Sequence, residues 1–157
     1  MAKEQDPRVP VEVEDYLVER NIKAGQMGAT IGGGLAGGGG GAFAARHGAR
    51  RGGERGARRI MTTVEERRGD LSLSQDELQE RVHSVAPKAI ALPAGSGLNR
   101  WAVPFGTTGL LHVVVDVATS DDGDGPHTVL RAFSKEGIIS RHPTKRVADE
   151  IWAAITG

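Results

Sequence analysis

The sequence predicts an α+β fold, a small antiparallel sheet with two helices on one face, preceded by a glycine-rich segment. Three observations support this prediction. A helix-capping motif starts at Ser74, an alternating strand pattern covers 110–118, and an amphipathic helix pattern covers 143–155. The predicted order of elements is β-α-β-β-β-β-α, and consecutive strands flanked by helices are typical of α+β domains.

The first helix of this domain is predicted over 74–86, after a strand expected over 59–66. Ser74 and Glu77 fit the capping box, in which each side chain accepts a hydrogen bond from the other residue's backbone amide. An apolar stripe at helical spacing follows, made of Leu78, Val82 and Val85. Pro87 then ends the helix because its ring is incompatible with a further helical turn.

Four strands are predicted next. Two short ones cover 89–92 and 100–105, on either side of a glycine turn at 95–97. The strongest covers 110–118, where alternate residues are apolar and share one face: Leu111, Val113, Val115 and Val117. A turn at 120–126 makes it a hairpin with a strand over 127–134, and 138–139 are expected to begin another extended piece. We expect the second sheet face to be open to a ligand or partner.

A second helix is predicted over 143–155. Proline at its first position is favourable, since the N–H that proline lacks would have no partner there. Apolar residues recur every four positions at Val147, Ile151 and Ile155, with Ala148 and Trp152 beside them. This pattern predicts a helix that packs one face on the sheet.

Composition excludes several function classes. The 157 residues include no cysteine, which excludes disulfide scaffolds, thiol catalysis and zinc sites built on thiolates. The net charge is zero, but the segments 1–23, 24–45, 46–59 and 60–157 carry −2, 0, +5 and −3. We therefore divide the chain into an acidic arm with a short helix, a glycine-rich uncharged segment, an Arg/Gly basic segment and the α+β domain.

The uncharged segment is 22 residues long, about 33 Å at helical rise and close to the thickness of a bilayer core. Small residues recur every fourth position from Gly25 to Ala45. Over 25–45 it resembles the glycine-zipper segments of small membrane-associated proteins. The resemblance implies helix packing or membrane contact by Gly25, Ala29, Ile31, Gly33, Leu35, Gly37, Gly41 and Phe43. A flexible linker is the alternative, since glycine costs about 1 kcal/mol per residue relative to alanine in a helix.

The basic segment follows directly and contains Arg46, Arg50, Arg51, Arg55, Arg58 and Arg59. Arginines beside a membrane span tend to stay cytoplasmic and contact anionic headgroups, which would place the C-terminal domain inside and the acidic arm outside. One alternative is a flexible RGG-like tract that contacts nucleic acid. Another is a solvated basic helix or linker. No aromatic residue is interleaved to stack on bases, which disfavours nucleic acid.

A second basic group lies between the last strand and the last helix: Arg131, Lys135, Arg141, His142, Lys145 and Arg146. Cations at a helix N-terminus oppose the helix dipole, so they suggest a role other than stability. The group is a candidate for contact with a lipid headgroup, another anion or an acidic partner; ordinary surface charge is the alternative.

Catalytic and metal-binding patterns are weak. His112 and Asp116 share a strand face, but about 13 Å of strand separates them, so they are expected to form part of a polar sheet face. The acidic turn at 121–125 lacks the alternating ligands of a calcium loop. We predict no catalytic residue, metal or cofactor.

The sequence therefore predicts a non-enzymatic, membrane-associated or self-assembling adaptor whose α+β domain binds a partner or small ligand. Self-association, a membrane and a protein are the expected partners, with nucleic acid less favoured. The alternative is a soluble binding protein with a disordered Arg/Gly arm that contacts nucleic acid. An enzyme on the open sheet face would need a deep pocket at His112 or Asp116. Residues 1–10 contain no apolar leader, so the cytoplasm or its membrane is expected.

Overall fold

The computed structural model describes residues 6–27, 56–106, 109–121, 125–135 and 142–157. Helix α1 covers 11–27, and a single helical turn covers 56–59. The remaining elements are β1 (Thr62–Gly69), α2 (Gln75–Val85), β2 (Ile90–Leu92), β3 (Leu98–Phe105), β4 (Leu111–Asp121), β5 (Pro126–Lys135) and α3 (Pro143–Thr156). From β1 onward, this is the predicted order.

The five strands form one antiparallel sheet in the order β1-β5-β4-β3-β2. The α+β fold class is therefore confirmed. β4 and β5 form the predicted hairpin and lie in the centre, while β1 and the short β2 form the two edges. Because β1 joins the sheet beside β5, the first and last of the described strands are neighbours.

Both predicted helices are confirmed. The Ser74 side chain accepts from the Glu77 backbone amide, and the Glu77 side chain accepts from the Ser74 amide at 2.9 Å, so the capping box is complete. Pro143 occupies the first turn of α3. The predicted start of β1 at residue 59 is wrong, because 56–59 form a helical turn and the strand begins at Thr62.

The main core lies between the sheet and the two helices α2 and α3. The alternating valines Val113, Val115 and Val117 are fully buried there, as predicted. They pack with the helix stripes, which include Leu78, Val82, Val147, Ala148, Ile151 and Ile155. Val85 and Leu111 fit the sequence stripes but are exposed, because each lies at the end of its element.

Helix α1 covers the opposite sheet face, so the expectation of an open face is wrong. Val13 and Leu17, one helical turn apart, are buried in a second core together with Val114 and Phe133. Val9 extends this stripe at the same four-residue spacing. The sheet is therefore packed on both faces, with the acidic arm supplying the second layer.

We call residues 28–55, between α1 and the helical turn, the insertion. The insertion lies outside the described residues. It contains these candidate residues: Ala29, Ile31, Gly33, Leu35, Gly37, Gly41, Phe43, Arg46, Arg50, Arg51 and Arg55. Arg141 and the extended piece predicted at 138–139 also lie outside the described residues. Gly25 lies in α1 and is exposed. Within the described part of the chain, no helix combines the length and apolar character needed to cross a bilayer.

The insertion begins and ends at one end of the sheet, where β3 and β5 end and β1 and β4 begin. We call this the insertion end. By Arg20, α1 has reached it, since Arg20 lines a small cavity there with Phe105 and Leu111. Seven further residues carry α1 to Met27, about 10 Å at helical rise. After the insertion and the helical turn, the chain enters β1 at Thr62, which lies opposite Lys135, the last residue of β5.

This arrangement corrects the membrane topology expected from the arginines. Because α1 packs on the sheet through Val13 and Leu17, the acidic arm and the domain must lie on the same side of any membrane. An arrangement with the arm outside and the domain inside is wrong.

Candidate functional site

A row of alternating charges crosses the sheet face beneath α1. The strand registers place Arg100 opposite Asp116, Asp116 opposite Arg131, and Arg131 opposite Glu66. Arg100 donates to both Asp116 carboxylate oxygens at 2.6 and 2.7 Å, and Arg131 donates to Glu66 at 2.6 Å. Each carboxylate thus has an arginine partner, and the row is neutralised within the sheet.

The Arg100–Asp116 pair is buried, with both guanidinium donors aligned on the carboxylate. The hydrogen bonds that Arg100 donates to Asp116 keep the pKa of Arg100 above its usual value. Because both carboxylate oxygens of Asp116 accept hydrogen bonds from Arg100, we assign Asp116 a structural role in the sheet.

His112 lies on the same sheet face and is buried against α1. Its Nδ1 is 2.7 Å from the Tyr16 hydroxyl, and Arg20 donates to that hydroxyl at 3.2 Å. The cavity beside it measures about 20 Å³, room for about one water molecule. The cavity that the described residues form beside His112 is therefore too small for anything larger than about one water molecule.

We predict that His112 makes the folded state sensitive to mild acid. Burial, followed by the charge of Arg20, lowers its pKa below the ordinary 6.5. As the pH falls below 6.5, the unfolded chain therefore takes up a proton first, and stability decreases toward the folded-state pKa by at most about 1.4 kcal/mol per pH unit.

The measurement is urea unfolding of the wild type and His112→Gln between pH 7.5 and 5.5. Glutamine does not titrate in this range, so the variant should lose less stability than the wild type over the same interval. Equal losses in the two proteins would assign the pH dependence to other groups.

Lys135 corrects the prediction of a surface anion ligand. Its side chain is only 1% exposed, its Nζ lies 2.5 Å from a Glu14 carboxylate oxygen, and it donates to the Ile60 carbonyl at 2.9 Å. The Thr62 hydroxyl donates to the other Glu14 oxygen. Lys135 therefore joins α1, the start of β1 and the end of β5 from inside the protein.

The other predicted cations that the structure describes lie in three regions. Arg131 belongs to the charged row, where Glu66 binds it. Lys145 pairs with Asp149 at 2.9 Å and Arg146 with Glu150 at 3.6 Å, both on the exposed first turns of α3. Arg58 lies 3.5 Å from Asp15 of α1, and Arg59 is exposed. The described members of the second basic group therefore do not form one anion site.

A groove lies between the end of α2 and the first half of α3, and we call it the α2–α3 groove. Its volume is about 200 Å³. β2 pairs only as far as Ala102 of β3, so residues 103–105 are left at the sheet edge and form its floor. Its apolar lining includes Val103, Val147 and Ile151, and its charged residues are Lys88, Arg146 and Glu150. This surface could accept an apolar side chain with a charged neighbour.

Sequence reasoning missed Glu14, Tyr16 and Arg100, which hold the α1 face together. A signal for α1 was present in the four-residue spacing of Val9, Val13 and Leu17. Among the described residues, no three histidine, aspartate or glutamate side chains converge as a metal site would require. Comparison of the chain with protein families, with curated proteins and with solved structures found no match.

Proposed function

We propose that this protein is a non-enzymatic adaptor that associates with a membrane or with copies of itself through the insertion. Its α+β domain then holds a partner or small ligand. The observation that carries the proposal is that an uncharged stretch, followed by a basic one, begins and ends at the same end of a packed domain.

The anchoring at one end limits how the insertion can enter a bilayer. Its 28 residues, folded back as two helical limbs, would reach about 21 Å, which is less than the hydrocarbon core of about 30 Å. The uncharged part, 28–45, would form two limbs of about 14 Å, close to half that thickness. Insertion into one leaflet, with Arg46 to Arg55 at the headgroups, therefore fits the chain better than a complete span.

The self-assembly form of the proposal uses the row of small residues. Gly25, the first of them, lies on α1, and outside its own helix turn no heavy atom of the described residues lies within 4 Å of the place where a Cβ would be. A second helix could therefore approach this face closely, as small-xxx-small faces allow. The domain does not occupy that position.

The α2–α3 groove supports the second half of the proposal. It combines an apolar floor with Lys88, Arg146 and Glu150, a combination that suits a peptide or small ligand with both apolar and charged groups. In this proposal the protein works at the cytoplasmic face of the membrane.

The test compares the full chain with a variant whose residues 28–55 are replaced by a Gly/Ser linker of equal length. We expect the full chain to float with anionic vesicles or to sediment as an oligomer, and the linker variant to be monomeric and not to float. Circular dichroism should show the same folded domain in both.

A full chain that is monomeric and binds no vesicle would reject the proposal. A mobility shift with DNA or RNA that weakens steeply with salt and requires 46–59 would instead favour the nucleic-acid alternative.

A further inference from the structure

We infer that the insertion end is itself a docking face for an anionic bilayer surface, formed by folded residues outside the insertion. This inference rests on the membrane form of the proposed function and adds to it the part of the folded domain that meets the lipid. Two independent features of the described residues carry it, the position of exposed apolar side chains and the direction of surface ion pairs.

Three of the large apolar side chains that are exposed lie at this end. Met27 is the last described residue of α1, Met61 immediately precedes β1, and Leu111 begins β4 in register with Phe105. Their exposed fractions are 50%, 51% and 43%. Exposed apolar residues that stand singly are normal, but half of the large ones that the described residues expose lie at this one end, which favours an interaction surface there.

Three i,i+4 ion pairs flank this end, and in each the cation lies one turn nearer to it than the anion. α1 runs toward the insertion end, and its Lys23 lies beyond Glu19. α3 runs away from it, since Pro143 lines the cavity there with Leu111, so Lys145 and Arg146 precede their partners Asp149 and Glu150. The end therefore presents positive charge outward, although each pair is neutral.

This direction is unfavourable for α3 alone. Cations in the first turn of a helix oppose its dipole, and the reverse order of acid and base would stabilise the helix. An anionic surface beyond the N-terminus of α3 would benefit from Lys145 and Arg146 in their observed positions. Apolar side chains with a surrounding rim of cations are the combination that binds the headgroup region of anionic membranes.

The occupant is a lipid surface because exposed apolar side chains lie at the end of the sheet that the chain reaches on both sides of the insertion, and because α1 continues for seven residues after Arg20. Any bilayer that receives the uncharged part of the insertion is brought against the chain at its two flanks, Met27 and Gly56. Met61, five residues after Gly56, and Leu111 lie at the same end of the sheet.

The test is vesicle flotation of the full-length chain and two full-length variants. Met61→Glu/Leu111→Glu adds negative charge to the proposed face. Val11→Glu is the matched control, because Val11 is 72% exposed and lies at the opposite end of α1. The vesicles are phosphatidylcholine with 30% phosphatidylglycerol, or phosphatidylcholine alone, each at low and high salt.

We expect the wild type and Val11→Glu to bind the anionic vesicles equally, with weaker binding at high salt. The double variant should bind at least about tenfold more weakly, since it loses apolar contact and gains repulsion. Lys145→Ser/Arg146→Ser should reduce the preference for phosphatidylglycerol. Thermal unfolding should confirm that each variant is folded, as expected for substitutions at exposed positions.

Each other outcome overturns the inference in a distinguishable way. If both double variants bind as the wild type does while the linker variant does not bind, the insertion alone contacts the membrane and the proposed function stands. If the wild type binds no vesicle, the docking face is rejected. Oligomers of the wild type would then preserve the self-assembling adaptor, whereas a monomer would reject both proposals.

Discussion

Replacing Asp116 with alanine is expected to lower the free energy of unfolding by about 3–5 kcal/mol. The substitution leaves the Arg100 guanidinium buried beneath α1 without the carboxylate that accepts its two hydrogen bonds. A buried charge without a partner cannot recover the free energy of hydration that it lost on folding. Urea unfolding of the wild type and variant at pH 7 measures the difference.

The double variant Arg100→Met/Asp116→Leu is the informative control. Removing both charges removes the desolvation cost as well, so its stability should lie much closer to that of the wild type. Asp70→Ala provides an exposed comparison, because Asp70 is 84% exposed and binds His127, and it should cost less than about 1 kcal/mol. Equal losses for Asp116→Ala and the double variant would contradict the role assigned to the pair.

Replacing Lys135 with methionine is expected to be similarly costly, about 3–5 kcal/mol, and to loosen α1 in particular. Methionine keeps most of the apolar volume but leaves the Glu14 carboxylate facing the sheet with Thr62 as its remaining partner. Limited proteolysis should therefore cut within 11–27 faster in the variant than in the wild type, in addition to the lower stability seen in urea.

Two further variants separate the effect of the unpaired Glu14 charge from the effect of losing the ion pair. Glu14→Gln/Lys135→Met replaces the ion pair with neutral groups and should recover much of the lost stability. Arg131→Met breaks a more exposed pair with Glu66 and should cost less. Cleavage of α1 in the double variant that is as rapid as in Lys135→Met would contradict the expectation that the unpaired Glu14 charge is what loosens α1.

The helices α2 and α3 were predictable because their determinants are local. The capping box of α2 needs only Ser74 and Glu77, three residues apart, and the apolar stripe of α3 repeats every four residues. The β4–β5 hairpin was predictable for the same reason, since two alternating strands are joined by one short turn.

The start of β1 and the position of α1 depend on distant partners. β1 pairs with β5, at the other end of the domain in sequence. Tyr16 reaches His112 across 96 positions, and no pattern near either residue identifies the other. The four-residue spacing in α1 predicts an apolar face but does not identify the surface it covers.

The candidate site residues also divide into features that the local sequence pattern determines and features that depend on distant partners. The alternation of β4 correctly placed His112 and Asp116 on the face opposite the valines, because strand periodicity is a local property. Their burial depended on α1, which the sequence did not place. Lys135 looked like a surface cation because it falls in a basic stretch from Arg131 to Arg146, but its neighbours in space are Glu14, Ile60 and Thr62.

By itself, the sequence determined the α+β class, the capped helix, the hairpin and the uneven distribution of charge. These follow from backbone propensities and periodicity over a few residues. Only the tertiary structure decided that the acidic arm closes the second sheet face and that the insertion begins and ends at one end of the domain. Both depend on packing and ion pairing between residues far apart in the chain, where burial in a shared environment selects the partner.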